Sequence, residues 1–105
     1  MLGLTACVSL YHSESQELLE MSRVSGVPVE RLQRGYGVYL TQCGQCHELV
    51  KPGDLKVADW RLVMPGMCWN AGLTQVDESV LLDYVLAAKS ADEGKKKALP
   101  SGRAL

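Results

Sequence analysis

Gly35-Tyr36-Gly37-Val38-Tyr39-Leu40-Thr41-Gln42-Cys43-Gly44-Gln45-Cys46-His47 is the stretch on which the reading of this chain turns. It ends in two cysteines three residues apart, with a histidine directly after the second. Positions i and i+3 share one side of a helical turn, so two thiols at that spacing face one way. Such a pair is a chemical motif more often than a structural bridge, and with the adjoining His47 it is the c-type haem attachment pattern. Cys43 and Cys46 can each add to one vinyl group of the haem, and His47 can place an imidazole nitrogen on the iron. A backbone carbonyl normally holds the ring's other nitrogen, which fixes the imidazole and raises its basicity. Gly44 and Gln45 bring nothing that would obstruct the macrocycle.

Two other chemistries use cysteines at this spacing. A thioredoxin-like redox pair belongs in a βαβ context, and no strand-like alternation is present. A zinc site needs four ligands, and Cys43, Cys46, His47 and Cys68 can be counted to that number. The adjacent Cys46 and His47 make poor simultaneous ligands, so covalent haem is the preferred reading.

Outward from the motif, the whole chain has 105 residues, 47% hydrophobic and 22% charged, with a formal net charge of −1. That length allows one small domain that buries only about two-thirds of its unfolded surface. A core this thin usually needs a disulfide, a metal or a cofactor to complete it. The even charge balance argues against binding to nucleic acid. No apolar run approaches the ~20 residues that cross a bilayer.

The expected fold is all-α. A helix runs from about Pro28 to the motif, with Leu32, Gly35, Tyr36 and Tyr39 or Leu40 at helical spacing. Glu48 to Gly53 reads as a loop with a Pro52-Gly53 turn. A short helix from Asp54 or Lys56 to Met64 is expected to end at Pro65-Gly66. The last helix starts at Thr74-Gln75-Val76-Asp77, a capping-box-like arrangement. Its apolar stripe is Val76, Val80, Leu81, Tyr84, Val85 and Ala88, and Lys89 lies near its expected C-terminal end.

The flanks read differently. Leu4-Thr5-Ala6-Cys7 resembles a bacterial lipobox, in which a signal peptidase cuts before a cysteine that then carries lipid. Residues 1–27 are expected to be a truncated signal remnant and a flexible tether, with a short helix over Glu14 to Arg23. Residues 28–90 form the expected haem domain, and residues 91–105 a disordered tail.

With those residues in hand, the chain resembles a small single-haem cytochrome c of the class I type, over about Val29 to Lys89. Gly35, Tyr39 and Cys43 fall four residues apart, like the Gly–aromatic–Cys ladder of that family's first helix. The resemblance implies that Gly35 lets the first and last helices cross closely, with Tyr84 as the partner aromatic. The segment Trp60…Met67…Gly72-Leu73…Tyr84 is similar to a compact subset of the family, although only nineteen residues separate His47 from Met67. The resemblance implies a compact three-helix domain wrapped around one covalent haem c.

Met67 is the expected distal iron ligand, and Met64, followed by Pro65 as in other small bacterial cytochromes, is the alternative. His12 and an open sixth site stand behind both. Cys68 reads as a small buried hydrophobe rather than a reactive thiol. Trp69 is expected against the haem or the distal loop, and Trp60 in the core. The expected function is electron transfer, not catalysis, between periplasmic or membrane-associated redox proteins met transiently. The protein is then a monomer, periplasmic, with possible anchoring through lipid on Cys7. The other readings are a haem subunit of a larger redox enzyme, a gas-sensing haem protein with a displaceable sixth ligand and, remotely, a zinc-binding interaction module.

Overall fold

The computed structural model describes residues 15–43 and 48–98, with side chains as far as residue 94. Over these residues the chain is all-helical and holds no strand. Helix α1 covers residues 15–25. Helix α2 is Val29–Gln42, a single 3₁₀ turn is Pro52–Asp54, α3 is Val57–Asn70 and α4 is Gln75–Ala98.

The crossing of α2 and α4 sets the frame. A Cβ added at Gly35 would run into the Val80 carbonyl oxygen and lie 2.6 Å from the Tyr84 Cβ. Only a residue without a side chain lets the two backbones come this close. The Tyr84 ring packs between Tyr36 and Tyr39, with centroids 5.3 and 5.5 Å away and tilted planes, a favourable aromatic geometry. The close crossing and the Tyr84 partnership expected from the sequence are both present. At the rim, Arg31 pairs with Asp83 and Arg34 with Asp77, both at 2.9 Å. These pairs are part-exposed, so each contributes at most about 1 kcal/mol and serves mainly to fix register.

Local signals place the other helix ends. The Thr74 hydroxyl accepts the Asp77 N–H at 3.1 Å, the expected cap of α4. Gly26, at φ +79°, ends α1 in the left-handed conformation, and its N–H donates to the Ser22 carbonyl at 2.9 Å.

Five expectations are corrected. The described part of the stretch read as a tether, residues 15–27, is held against the core: Leu18 and Met21, one turn apart on α1, are both buried in the main cluster. Spacing of i and i+3 gives even a polar helix a narrow apolar stripe, and that stripe is enough to dock it. Helix α3 does not stop at Pro65-Gly66 but runs through to Asn70. A proline deprives one carbonyl of its partner, here that of Arg61. Arg61 and Pro65 lie on the exposed side, where water can take that role. Helix α4 continues past Ser90 to Ala98, so residues 91–98 of the expected tail are helical. Ala91 packs against the core, and Gly53 of the 3₁₀ turn sits close against Asp92, so the helix still has a partner there. Lys89 is accordingly mid-helix and buried, with its Nζ 3.1 Å from Glu93. Val76 is exposed, because it precedes the part of α4 that α2 covers. Residues 1–14, with Cys7 and His12, and residues 99–105 lie outside the described residues.

Candidate functional site

Trp60, Met64, Met67 and Cys68 recur at i, i+4, i+7 and i+8 on α3, which puts them on one helical face. Trp60, Met64 and Cys68 are buried and Met67 is half-buried. The opposite face carries Leu62, Pro65 and Trp69, all exposed. Trp69 is 84% exposed, which corrects its expected place against the distal loop. Continuing α3 through Pro65 turns it outward, seven residues after Leu62.

The inner face of α3 looks onto the end of α2. Between them lies a cavity of about 140 Å³, lined by Tyr39 and Cys43 of α2, the four inward residues of α3, Val50, and Leu73 and Leu81 from the α4 side. Gln42, Asn70 and Ala71 complete its rim. No charged side chain lines it among the described residues.

The end of α3 closes one side of this space. The Leu73 N–H donates to the Cys68 carbonyl at 3.0 Å, and the Gly72 N–H to the Trp69 carbonyl at 3.1 Å. With Gly72 at φ +72° this is a Schellman motif, and its apolar pair, Cys68 and Leu73, faces the cavity.

Cys43 is the described cysteine of the attachment motif. It keeps helical dihedrals at the C-cap of α2, and its N–H reaches the Tyr39 carbonyl at 3.3 Å. Its half-buried thiol opens onto the cavity. Cys46 and His47 lie outside the described residues. Burial pushes the Cys43 thiol above its ordinary range. Burial first, and then the negative charge of Glu78, Cys43 and Asp77, pushes Cys68 up to about 11. Both thiols are therefore neutral near pH 7, and Cys68 is the inert small hydrophobe expected of it.

Two polar contacts escape sequence reasoning. The Tyr39 hydroxyl donates to the Val50 carbonyl at 2.8 Å, and Trp60 Nε1–H donates to the Pro52 carbonyl at 2.8 Å. The one available hint is compositional. The chain has four Tyr and two Trp but no Phe, so every aromatic ring carries a polar handle.

The residues present fit a haem in kind. One motif thiol stands at the cavity, two thioethers stand on another wall, and the surroundings are apolar and uncharged. In size the space falls below the roughly 300 Å³ at which cofactor clefts begin, so a macrocycle has to spread the walls to be seated. No family model matches the chain, and searches of curated proteins and of solved structures return no match.

Proposed function

We propose that the chain is a one-electron carrier holding a single c-type haem, bound through Cys43 and Cys46, with His47 and Met67 as axial ligands. The observation that supports this reading is the meeting of the motif's first cysteine, Cys43, with an apolar, sulfur-bearing cavity. Cys43 lies at the end of α2, and Met64 and Met67 line the same space from α3. When bound, a haem with both axial positions filled supplies reversible exchange of one electron between ferric and ferrous iron.

The chain's own residues govern that exchange. The sulfurs of Cys43 and Cys46 would hold the group covalently as thioethers, and the His47 imidazole would supply one ligand to its iron. The Met67 thioether, a soft donor, favours the ferrous state and raises the potential relative to two imidazoles. Trp60, Leu73 and Leu81 keep water from the apolar side, which disfavours the extra positive charge of the ferric form. The protein then serves transient redox partners in the bacterial periplasm, with Cys7 as a lipid attachment point.

The test is an absorption spectrum, oxidised and reduced, of protein matured with the cytochrome c assembly machinery, followed by denaturing electrophoresis with haem staining. A low-spin spectrum with haem that survives denaturation is expected. Protein that folds with zinc and never takes up covalent haem would sink the reading.

A further inference from the structure

Four of the residues that line the cavity between α2 and α3 carry sulfur: Cys43, Met64, Met67 and Cys68. Three of them share one turn of α3. Positions 64, 67 and 68 stand as i, i+3 and i+4, the spacing at which side chains on a helix meet, with Cβ atoms about 5–6 Å apart. Cys43 faces them from the end of α2, across the same space. Met64 and Cys68 are buried and Met67 is half-buried. The two polar rings on the walls are already engaged, Tyr39 with the Val50 carbonyl and Trp60 with the Pro52 carbonyl. Among the described residues neither a carboxylate nor an imidazole lines the space. Sulfur is what the walls offer to a guest.

We propose that in the haem-free chain this cavity binds the soft monovalent cation Cu(I), held by the Cys68 thiolate and the Met64 and Met67 thioethers, with Cys43 as the facing sulfur. The proposal goes beyond the haem reading and does not rest on it. The two occupants exclude each other, since both call on Cys43 and Met67. Softness selects the ion: thiolate and thioether together suit Cu(I), whereas hard cations want oxygen and zinc wants four nitrogen, oxygen or thiolate ligands. Among the described residues no three of His, Cys, Asp and Glu gather at one place, which leaves a harder ion no site. Charge selects it too, because a buried charge is tolerated only when it is paired. One Cu(I) and one thiolate sum to zero, and the other sulfurs bind uncharged. A divalent ion needs a second thiolate to reach the same balance. The ion itself drives off the thiol proton: the Cys68 S–H bond yields its proton to solvent as the sulfur–copper bond forms. Methionine is unbranched, with three rotatable bonds, so both thioethers can follow the ion.

The experiment uses the full chain made without the cytochrome c assembly machinery. It carries Cys7→Ser and Cys46→Ser, so that Cys43 and Cys68 are the remaining thiols. Cu(I) is added without oxygen against the chromogenic chelator bicinchoninate, and X-ray absorption at the copper edge reads the donor atoms. One Cu(I) per chain, in a shell of sulfur alone, is the expected result. Adding Cys68→Ser should weaken binding by about tenfold or more, as loss of a metal ligand does. Met64→Leu and Met67→Leu, which conserve volume, should each weaken it by about tenfold. Met21→Leu, a buried methionine outside the cavity, should leave it unchanged. Binding that survives Cys68→Ser, or that survives both cavity methionine changes, would overturn the proposal. So would a copper shell containing nitrogen, or a loss in Met21→Leu equal to that in the cavity variants. A chain that takes up no Cu(I) in competition with the chelator would overturn it outright.

Discussion

Gly35 and Gly37 look alike in the sequence, two weak helix formers in one turn, yet they face opposite fates. Gly35 is buried at the α2–α4 crossing, whereas a Cβ at Gly37 meets nothing within 4 Å. Gly35→Ala should therefore destabilise the fold by about 1–3 kcal/mol, since backbone and a Tyr84 Cβ must give way. Gly37→Ala should stabilise it by roughly 0.5–1 kcal/mol through helix propensity. Urea denaturation of both variants checks the pair, and equal effects would mean the helices do not cross there. The tyrosines at this crossing give a second prediction. Burial, as the leading cause, raises both Tyr39 and Tyr84 above the ordinary value of 10. The unfolded chain then loses these protons first, so their contribution is intact below pH 10 and declines as pH climbs through the folded values. Titration at 295 nm should show two tyrosines ionising late, with thermal stability falling over the same alkaline range. Gly35 was legible because its spacing to Tyr39 and Cys43 matched a pattern. Gly37 was not, because nothing in a sequence says which glycine meets a neighbour.

Helices were read most reliably where spacing and a cap agreed. The start of α4 is such a case, with Thr74 capping Asp77 as expected. Where local punctuation opposed periodicity, punctuation misled. Trp60, Met64, Met67 and Cys68 keep helical spacing straight across Pro65-Gly66, and the helix follows that spacing. The cost of the proline depends on whether the orphaned carbonyl is wet, which is a property of the assembled molecule. The helix over α1 was expected, but its docking was missed for a related reason. Leu18 and Met21 are a meagre apolar signal in a polar run, and their docking depends on α4 being there to meet them. Leu18→Ala should cost about 2–3 kcal/mol in denaturant unfolding, as expected for a buried leucine and not for a tether. A change below about 0.5 kcal/mol would return α1 to the role of a loose lead.

Across the whole molecule, the cavity was legible in its ingredients and not in its assembly. The motif, the two methionines and Trp60 were all named from the sequence, and Cys43, Met64, Met67 and Trp60 do line one space. Leu73 and Leu81 were missed as walls because they belong to a chain reversal and to a core stripe. For haem-loaded protein, Met67→Ala should abolish the weak red charge-transfer band of methionine-bound ferric iron, lower the reduction potential and open the iron to carbon monoxide. Met64→Ala should keep the band and cost packing. Loss of the band in Met64→Ala instead would move the ligand by one turn. Rapid carbon monoxide binding by unaltered ferrous protein would favour a sensor over a carrier.

The contacts that lock α2 to α4 bridge separations of 43 to 52 residues. They cannot form until most of the chain has been made and has left the ribosome, and distant pairings of this kind are late events in folding. Until then Cys43 sits at the edge of an unfinished structure, reachable from outside. Once α4 arrives, the space beside Cys43, at about 140 Å³, is narrower than the clefts that hold cofactors, so its walls must part to seat a macrocycle. On the haem reading proposed above, attachment is easiest before α4 docks, while the wall that Leu81 supplies is still absent.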